Sequence, residues 1–208
     1  MSSVAITGNA AGAGVFTIAS PNSVSSFTAT LPAATTTLVG TDATQTLTNK
    51  TIQGGAITSG TAVATTSGTS VDFTGIPSYV KRVTVMMNGV STNGTSNYLI
   101  QAITGASTVV NSGYASSAST GASGATSTAG NVVTAVIAAA TLYNVAATLV
   151  NVTGNTWLTT SVGGTNSSNA GNISGGTIAL GAVLTGVRIT TVNGTDTFDA
   201  GSINILYE

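Results

Sequence analysis

The chain has 208 residues, of which only 4% are charged, four basic against five acidic, for a formal net charge of −1. No basic surface is available to neutralise a phosphate backbone, so nucleic acid is not an expected partner. Cysteine and histidine are both absent, which removes disulfides, thiolate ligands, the commonest general base and the usual pH switch together.

The opening MSSVAITGNAAGAGV (1–15) has neither a basic region nor a long apolar run, so no secretion signal is expected. The segment GVFTIASPNSVSSFTATLPAATTTLVG (14–40) has short apolar pairs, two prolines and no continuous alternation. Such a segment cannot bury a core alone. In TDATQTLTNKTIQGG (41–55), Leu47 and Ile52 stand alone among Thr, Asn, Gln and Gly, with Lys50 between them. Two readings are open here. Isolated apolar residues can meet their equivalents from other chains, or Gly54-Gly55 can mark a flexible linker. Residues 1–60 are therefore expected to form a thin extension. The remainder, 61–208, is expected to be a β domain, since a chain of about 150 residues hides roughly two-thirds of its extended surface on folding.

Within that domain strand signals dominate. VKRVTVMMNGV (80–90) alternates, with Val83, Val85 and Met87 on one face and Arg82 and Thr84 on the other, and then meets Asn88-Gly89, a hairpin-turn signal. Residues 105–130, rich in Ser, Gly, Ala and Thr, hold one aromatic, Tyr114, and read as a long surface loop. VVTAVIAAATLY (132–143) is the longest apolar stretch and is far short of the ~20 residues that cross a bilayer. YNVAATLVNVTGN (143–155) puts Tyr143, Val145, Ala147 and Leu149 on one side and closes at Thr153-Gly154-Asn155. GGTNSSNAGNISG (163–175) reads as a second loop. GVRITTVNGTD (186–196) sends Val187 and Ile189 inward and Arg188 outward, and SINILYE (202–208) aligns Ile203, Ile205 and Tyr207. Further strands are expected near 71–74, 97–103, 132–138, 156–162 and 176–180. Their spacing predicts an all-β, antiparallel sandwich of jelly-roll type.

Three stretches carry a resemblance to trimeric fibre proteins of tailed bacteriophages. Residues 14–40 followed by TDATQTLTNKTI (41–52) are similar to segments that lead into or build fibre shafts. DFTGIPSYVKRVTVMMNGVSTNGT (72–95) resembles the opening of a recurrent fibre-tip domain, and TGVRITTVNGTDTFDAGSINILYE (185–208) resembles its end. The resemblance implies a homotrimer, with Leu47 and Ile52 as trimer contacts on the threefold axis. It also implies a place on the outside of the virion. The N-terminal segment would be held by another virion protein, and a bacterial surface glycan or protein would be the target. The tail-docking domain of many fibres is missing from the pattern, which leaves the mount open: a tail fibre, or a capsid head fibre or decoration protein.

Candidate chemistry is sparse, and no enzyme, metal or cofactor is expected. Asp196 and Asp199 in NGTDTFDAG invite a two-carboxylate hydrolase reading, or with Asn193 a calcium site, but both acids read first as turn residues bonded to nearby amides. N-x-S/T sequons at Asn49, Asn93, Asn151, Asn166, Asn172 and Asn193 are what so Asn-, Ser- and Thr-rich a chain produces by chance. Tyr114 and the single tryptophan, Trp157, are the candidates for stacking on a sugar ring. Trp157 reads first as a core residue of its strand, and Tyr114 first as a loop anchor.

Overall fold

Alternation of aliphatic and hydroxyl residues organises this chain into strands, and no helix is present among the described residues. The computed structural model describes Gly12, residues 24–26 and residues 57–208 apart from 122, 137 and 167–170. The chain divides into two units, Met1–Lys50 and Thr51–Glu208, and every strand among the described residues belongs to the second. Leu47 and Ile52, the expected trimer contacts, lie outside the described residues, as do Asp42 and Lys50.

In chain order the strands are β1 (Thr58–Ser59), β2 (Val63–Ala64), β3 (Val71–Thr74), β4 (Arg82–Thr92), β5 (Tyr98–Thr104), β6 (Thr108–Val109) and β7 (Ala115–Thr120), followed by β8 (Ser123–Ser127), β9 (Asn131–Thr134), β10 (Tyr143–Thr153), β11 (Thr156–Thr165), β12 (Gly171–Ala179), β13 (Leu184–Thr191) and β14 (Phe198–Tyr207). They form two antiparallel sheets. The larger runs β1-β14-β4-β10-β11-β12-β7-β8, with β2 also on the outer side of β14; the smaller runs β3-β13-β5-β6, with β9 also on β5. β1 lies within the stretch expected to be extension, and pairs Thr58 with Tyr207.

The core lies between the sheets. Val83, Val85 and Met87 of β4 and Val145, Ala147 and Leu149 of β10 face it from one side. Ile100 and Ala102 of β5 and Val187 and Ile189 of β13 face it from the other. In β4, β10 and β13 these alternations are legible in sequence, because aliphatic and polar side chains largely take turns, whereas all seven residues of β5 are buried. Three aromatics, each the first residue of its strand, join the sheets at one end. Tyr98 of β5 meets Tyr143 of β10 edge-on at 5.5 Å between centroids and stacks on Phe198 of β14 at 6.2 Å, a geometry that adds to simple area burial.

Two local expectations change. Asn88-Gly89 is not a hairpin turn, because β4 continues through it to Thr92. It is a bulge instead: Gly89 has φ 60°, its N–H is held by the Asn144 side chain at 2.9 Å, and the β10–β4 register breaks between Tyr143 and Val145. Opposite it, β14 breaks register twice between Phe198 and Ser202. Residues 105–130 are not a long loop either, since they form β6, β7 and β8. In β7 the buried positions are Ala118 and Thr120 and the outward ones Ser117 and Ser119, so small residues occupy both faces and the alternation carries almost no hydropathy contrast. Of the expected loop at 163–175, residues 163–165 belong to β11 and 171–175 to β12, and these strands pair in register from Thr156↔Ala179 to Gly164↔Gly171.

The bulge generates a test. Gly201 has φ 92°, and a Cβ there would run into the Gly89 carbonyl. Gly201→Ala must therefore strain its own backbone and push the paired bulge apart, and we expect a loss of about 2 kcal/mol or more. Gly181→Ala, where a Cβ meets nothing within 4 Å, should stay within about 0.5 kcal/mol of wild type. Urea unfolding midpoints of the two variants check this; equal midpoints would discard the bulge as a source of constraint.

Candidate functional site

The two aromatic candidates are both in the core. Trp157 lies on the inner row of β11, between Asn151 and Ile178, and is 4% exposed. Tyr114 is 3% exposed, and its hydroxyl is used twice: it accepts from the Ala102 N–H at 2.7 Å and donates to the Val110 carbonyl at 3.0 Å. Neither ring has a free face, so the expectation that they stack on a sugar is corrected by burial. Each takes the structural role that the sequence leaves open beside the binding role. Tyr114 anchors its segment to β5.

The acidic candidates are also committed. Asp199 accepts a hydrogen bond from the Ser91 hydroxyl of β4. Asp196 accepts from the Ser96 N–H at 2.9 Å and from the Asn193 side-chain amide. The Asn193 side-chain oxygen Oδ1 in turn accepts from the N–H groups of Thr195 and Asp196, the Asx-turn arrangement expected of such a loop. The two carboxylates thus close different contacts. Among the described residues no group of three or more His, Cys, Asp or Glu could hold a metal ion.

Polar side chains do their work inside. Ser116 donates to the Gly130 carbonyl at 2.9 Å and accepts from the Val132 N–H at 3.0 Å; Thr120 donates to the Ala135 carbonyl and Ser161 to the Val133 carbonyl, both at 2.8 Å. The hydroxyls of the large sheet therefore satisfy the backbone of β9, which lies over them.

Comparison with protein-family models, curated proteins and solved structures returns no match. What the chain can do must be read from its surface.

That surface has one dominant property. Between Arg82 and Arg188 the sequence contains no Asp, Glu, Lys or Arg, and this interval supplies all of β5 to β12. The outer face of the large sheet aligns Ala146, Val162, Ile173 and Ser119 in one cross-strand row, Thr148, Thr160 and Gly175 in the next, and Val150, Leu158 and Thr177 in a third. Val162 is 62% and Ile173 65% exposed. It is a neutral face of aliphatic and hydroxyl groups, of the kind that marks an interaction surface when contiguous. At its border Arg82 pairs with Glu208, whose main chain bonds Lys81 and Arg82, and Lys81 donates to the Asn151 side chain at 3.3 Å. The pair Asp72–Arg188 lies on the other sheet.

Sequence reasoning places Arg188 outward but cannot give it a partner, because strand pairing over so long a separation leaves no local signal. Tyr114 offers a direct check on its anchoring role. Burial is the main cause that pushes its hydroxyl up to about 12 from the usual 10.0, with the Ala102 hydrogen bond opposing. A folded-state value raised above the unfolded one gives stability that is complete below pH 10 and is lost as pH rises towards 12. Tyr114→Phe leaves the Ala102 N–H unpaired and should cost about 1–3 kcal/mol at neutral pH. It should also flatten the fall in stability between pH 10 and 12, both measured by chemical denaturation across that range.

Proposed function

We propose that the chain is a structural component of a bacteriophage virion, a homotrimeric fibre on the outside of the particle. Its jelly-roll-like tip contacts the host cell surface, and its N-terminal segment mounts it. The observation that carries the reading is the way the two tip-like stretches meet. Residues 72–95 include most of β3 and all of β4, and residues 185–208 include most of β13 and all of β14. β3 pairs with β13 in one sheet and β4 with β14 in the other. Stretches far apart in sequence, identified by resemblance alone, build a single frame, and the charge-free residues between them are carried on it.

The neutral outer face of the large sheet supports the assembly part of the proposal. A second copy is the partner that covers it while burying no unpaired charge, which would otherwise cost several kcal/mol per ion. Repetition of a weak tip contact then gives firm attachment through multivalency.

Sedimentation of the full chain should give three times 20.1 kDa; a folded monomer at micromolar concentration overturns the proposal. Val162→Asp with Ile173→Asp should dissociate the trimer if copies meet on the sheet face. Leu47→Asp with Ile52→Asp should weaken it if the segment before the domain joins the axis, since carboxylates forced together lose water and repel. Binding of the labelled trimer to a panel of bacterial strains should change little between low and high ionic strength, because the β5–β12 surface has no charge to screen. A steep fall with salt removes the neutral-receptor reading, and binding to emptied phage heads without any binding to cells transfers the chain to head decoration.

A further inference from the structure

We propose that the outer face of the small sheet holds a saccharide subsite, built on the cross-strand row Asp72–Arg188–Gln101. The register sets these residues side by side, Arg188 opposite Asp72 of β3 and opposite Gln101 of β5. The adjacent row of the same face pairs Thr190 with Leu99. Arg188, Gln101, Thr190 and Leu99 floor a cleft of about 320 Å³, and Asp72 lies outside it, behind Arg188.

Each part of the cleft is held in place. Arg188 donates Nε and Nη2 to the two oxygens of Asp72, both at 2.7 Å, which fixes the guanidinium plane. Gln101 donates Nε2 to the Ala129 carbonyl at 2.8 Å, so its amide has one orientation. Ala129 and Gly130 descend onto the face as a wall. The approach needs glycine, since a Cβ at Gly130 would lie 3.0 Å from Gln101 Cγ and 3.2 Å from Leu99 Cβ. Thr69 and Ser70 form the facing wall, tied by the Thr190 hydroxyl, which donates to the Thr69 carbonyl at 2.8 Å. The Asn193-Gly194 turn closes one end, and the exposed Asn111 stands at the rim.

The chemistry selects the ligand class. Asp72, from outside the cleft, cancels the charge of Arg188, which lines it and can still donate. The exposed amide of Asn111 can do both, while Gln101 and Leu99, 8% and 1% exposed, close the floor from beneath. Vicinal hydroxyls on a sugar ring need that mixture of donors and acceptors at fixed positions. A strongly acidic or basic ligand would leave one charge without a partner, so neutral saccharides are favoured. The volume is at the small end of ligand sites, roughly 300–1,000 Å³. An exposed cross-strand ion pair adds little to stability, so holding the edge strand β3 is a weak account of charges in a chain that has so few.

The biological role of this cleft rests on the adsorption reading of the whole chain, whereas its sugar chemistry does not. The test is saturation-transfer NMR of the full chain with glucose, galactose, N-acetylglucosamine and rhamnose, and with glucuronate as the charged comparison. At least one neutral sugar should bind wild type, more tightly than glucuronate. Its affinity should fall about fivefold or more in Asn111→Ala and in the paired change Asp72→Asn with Arg188→Gln, as expected for loss of one or two hydrogen bonds. Thermal melts establish that each variant is folded. Asn111→Ala, a change at an exposed position, decides the matter if the pair is not folded. No binding of any of the four neutral sugars to wild type overturns the subsite, and so does binding unchanged in the folded variants. Adsorption to the bacterial panel separates the two ideas. Cells bound equally by wild type and variants leave the fibre reading standing without the cleft. Sugars bound in the cleft by a protein that adsorbs to no cell leave the cleft standing without the fibre reading.

Discussion

β14 reaches β4 across more than a hundred residues of sequence, pairing Tyr207 with Val83 and Ile203 with Met87, and the rest of the domain is positioned by that contact. β10 adds to the free side of β4, β11 and β12 follow by hairpin, and β7 and β8 complete the sheet. The small sheet repeats the device, with β13 held between β3 and β5. Closing so long a loop costs only slowly growing entropy, but the contact order is high, and such topologies form slowly. The large sheet therefore cannot be completed until both ends of the domain have met. Lys81 and Arg82 bonding to the main chain of Glu208 fasten the last residue to the same junction.

Within this frame the interior changes character along the sheet. Near β4, β10 and β14 it is aliphatic and aromatic, and the aromatic group of Tyr98, Tyr143 and Phe198 joins the two layers. Beyond Trp157 and Ile178, the interior of β7, β11 and β12 is small and hydroxylated, and it holds β9 by hydrogen bonds from Ser116, Thr120 and Ser161 to main-chain carbonyls. Hydrogen bonds are directional where dispersion is not. The second half of the sheet is thus set in register by donors and acceptors as much as by volume, and Ala or Val at Ser116 would lose both a donor and an acceptor without gaining a space to fill.

That change of character separates what can be read from the sequence from what cannot. β4, β10, β13 and β14 alternate aliphatic with polar residues, and their inward faces follow from the residues alone. β7 and β8 alternate Ser with Ala, Thr and Gly, which differ little in hydropathy; the period is present but silent, and the segment passes for a loop. Asn88-Gly89 misleads for a different reason. The dipeptide supplies the positive φ of a turn, but a bulge uses the same conformation, and only the partner strand decides between them. Tyr114 and Trp157 are marked by their scarcity, yet the core accounts for both rings. The row of Asp72, Arg188 and Gln101 gives no signal at all, because its members are joined by strand pairing over long separations and lie next to nothing of note in sequence.

The uncharged interval between Arg82 and Arg188 has a consequence outside folding and binding. Trypsin-like proteases cut after Lys or Arg, and acid-specific ones after Glu or Asp. Neither class has a peptide bond to recognise across β5 to β12, whether the sheets are formed or open. For those enzymes survival of this region is written into its composition and does not depend on how often the fold opens. Proteases that recognise aromatic residues would need Tyr98, Tyr114, Tyr143 or Trp157, all of them buried. An opening event that exposes them must therefore separate the two sheets.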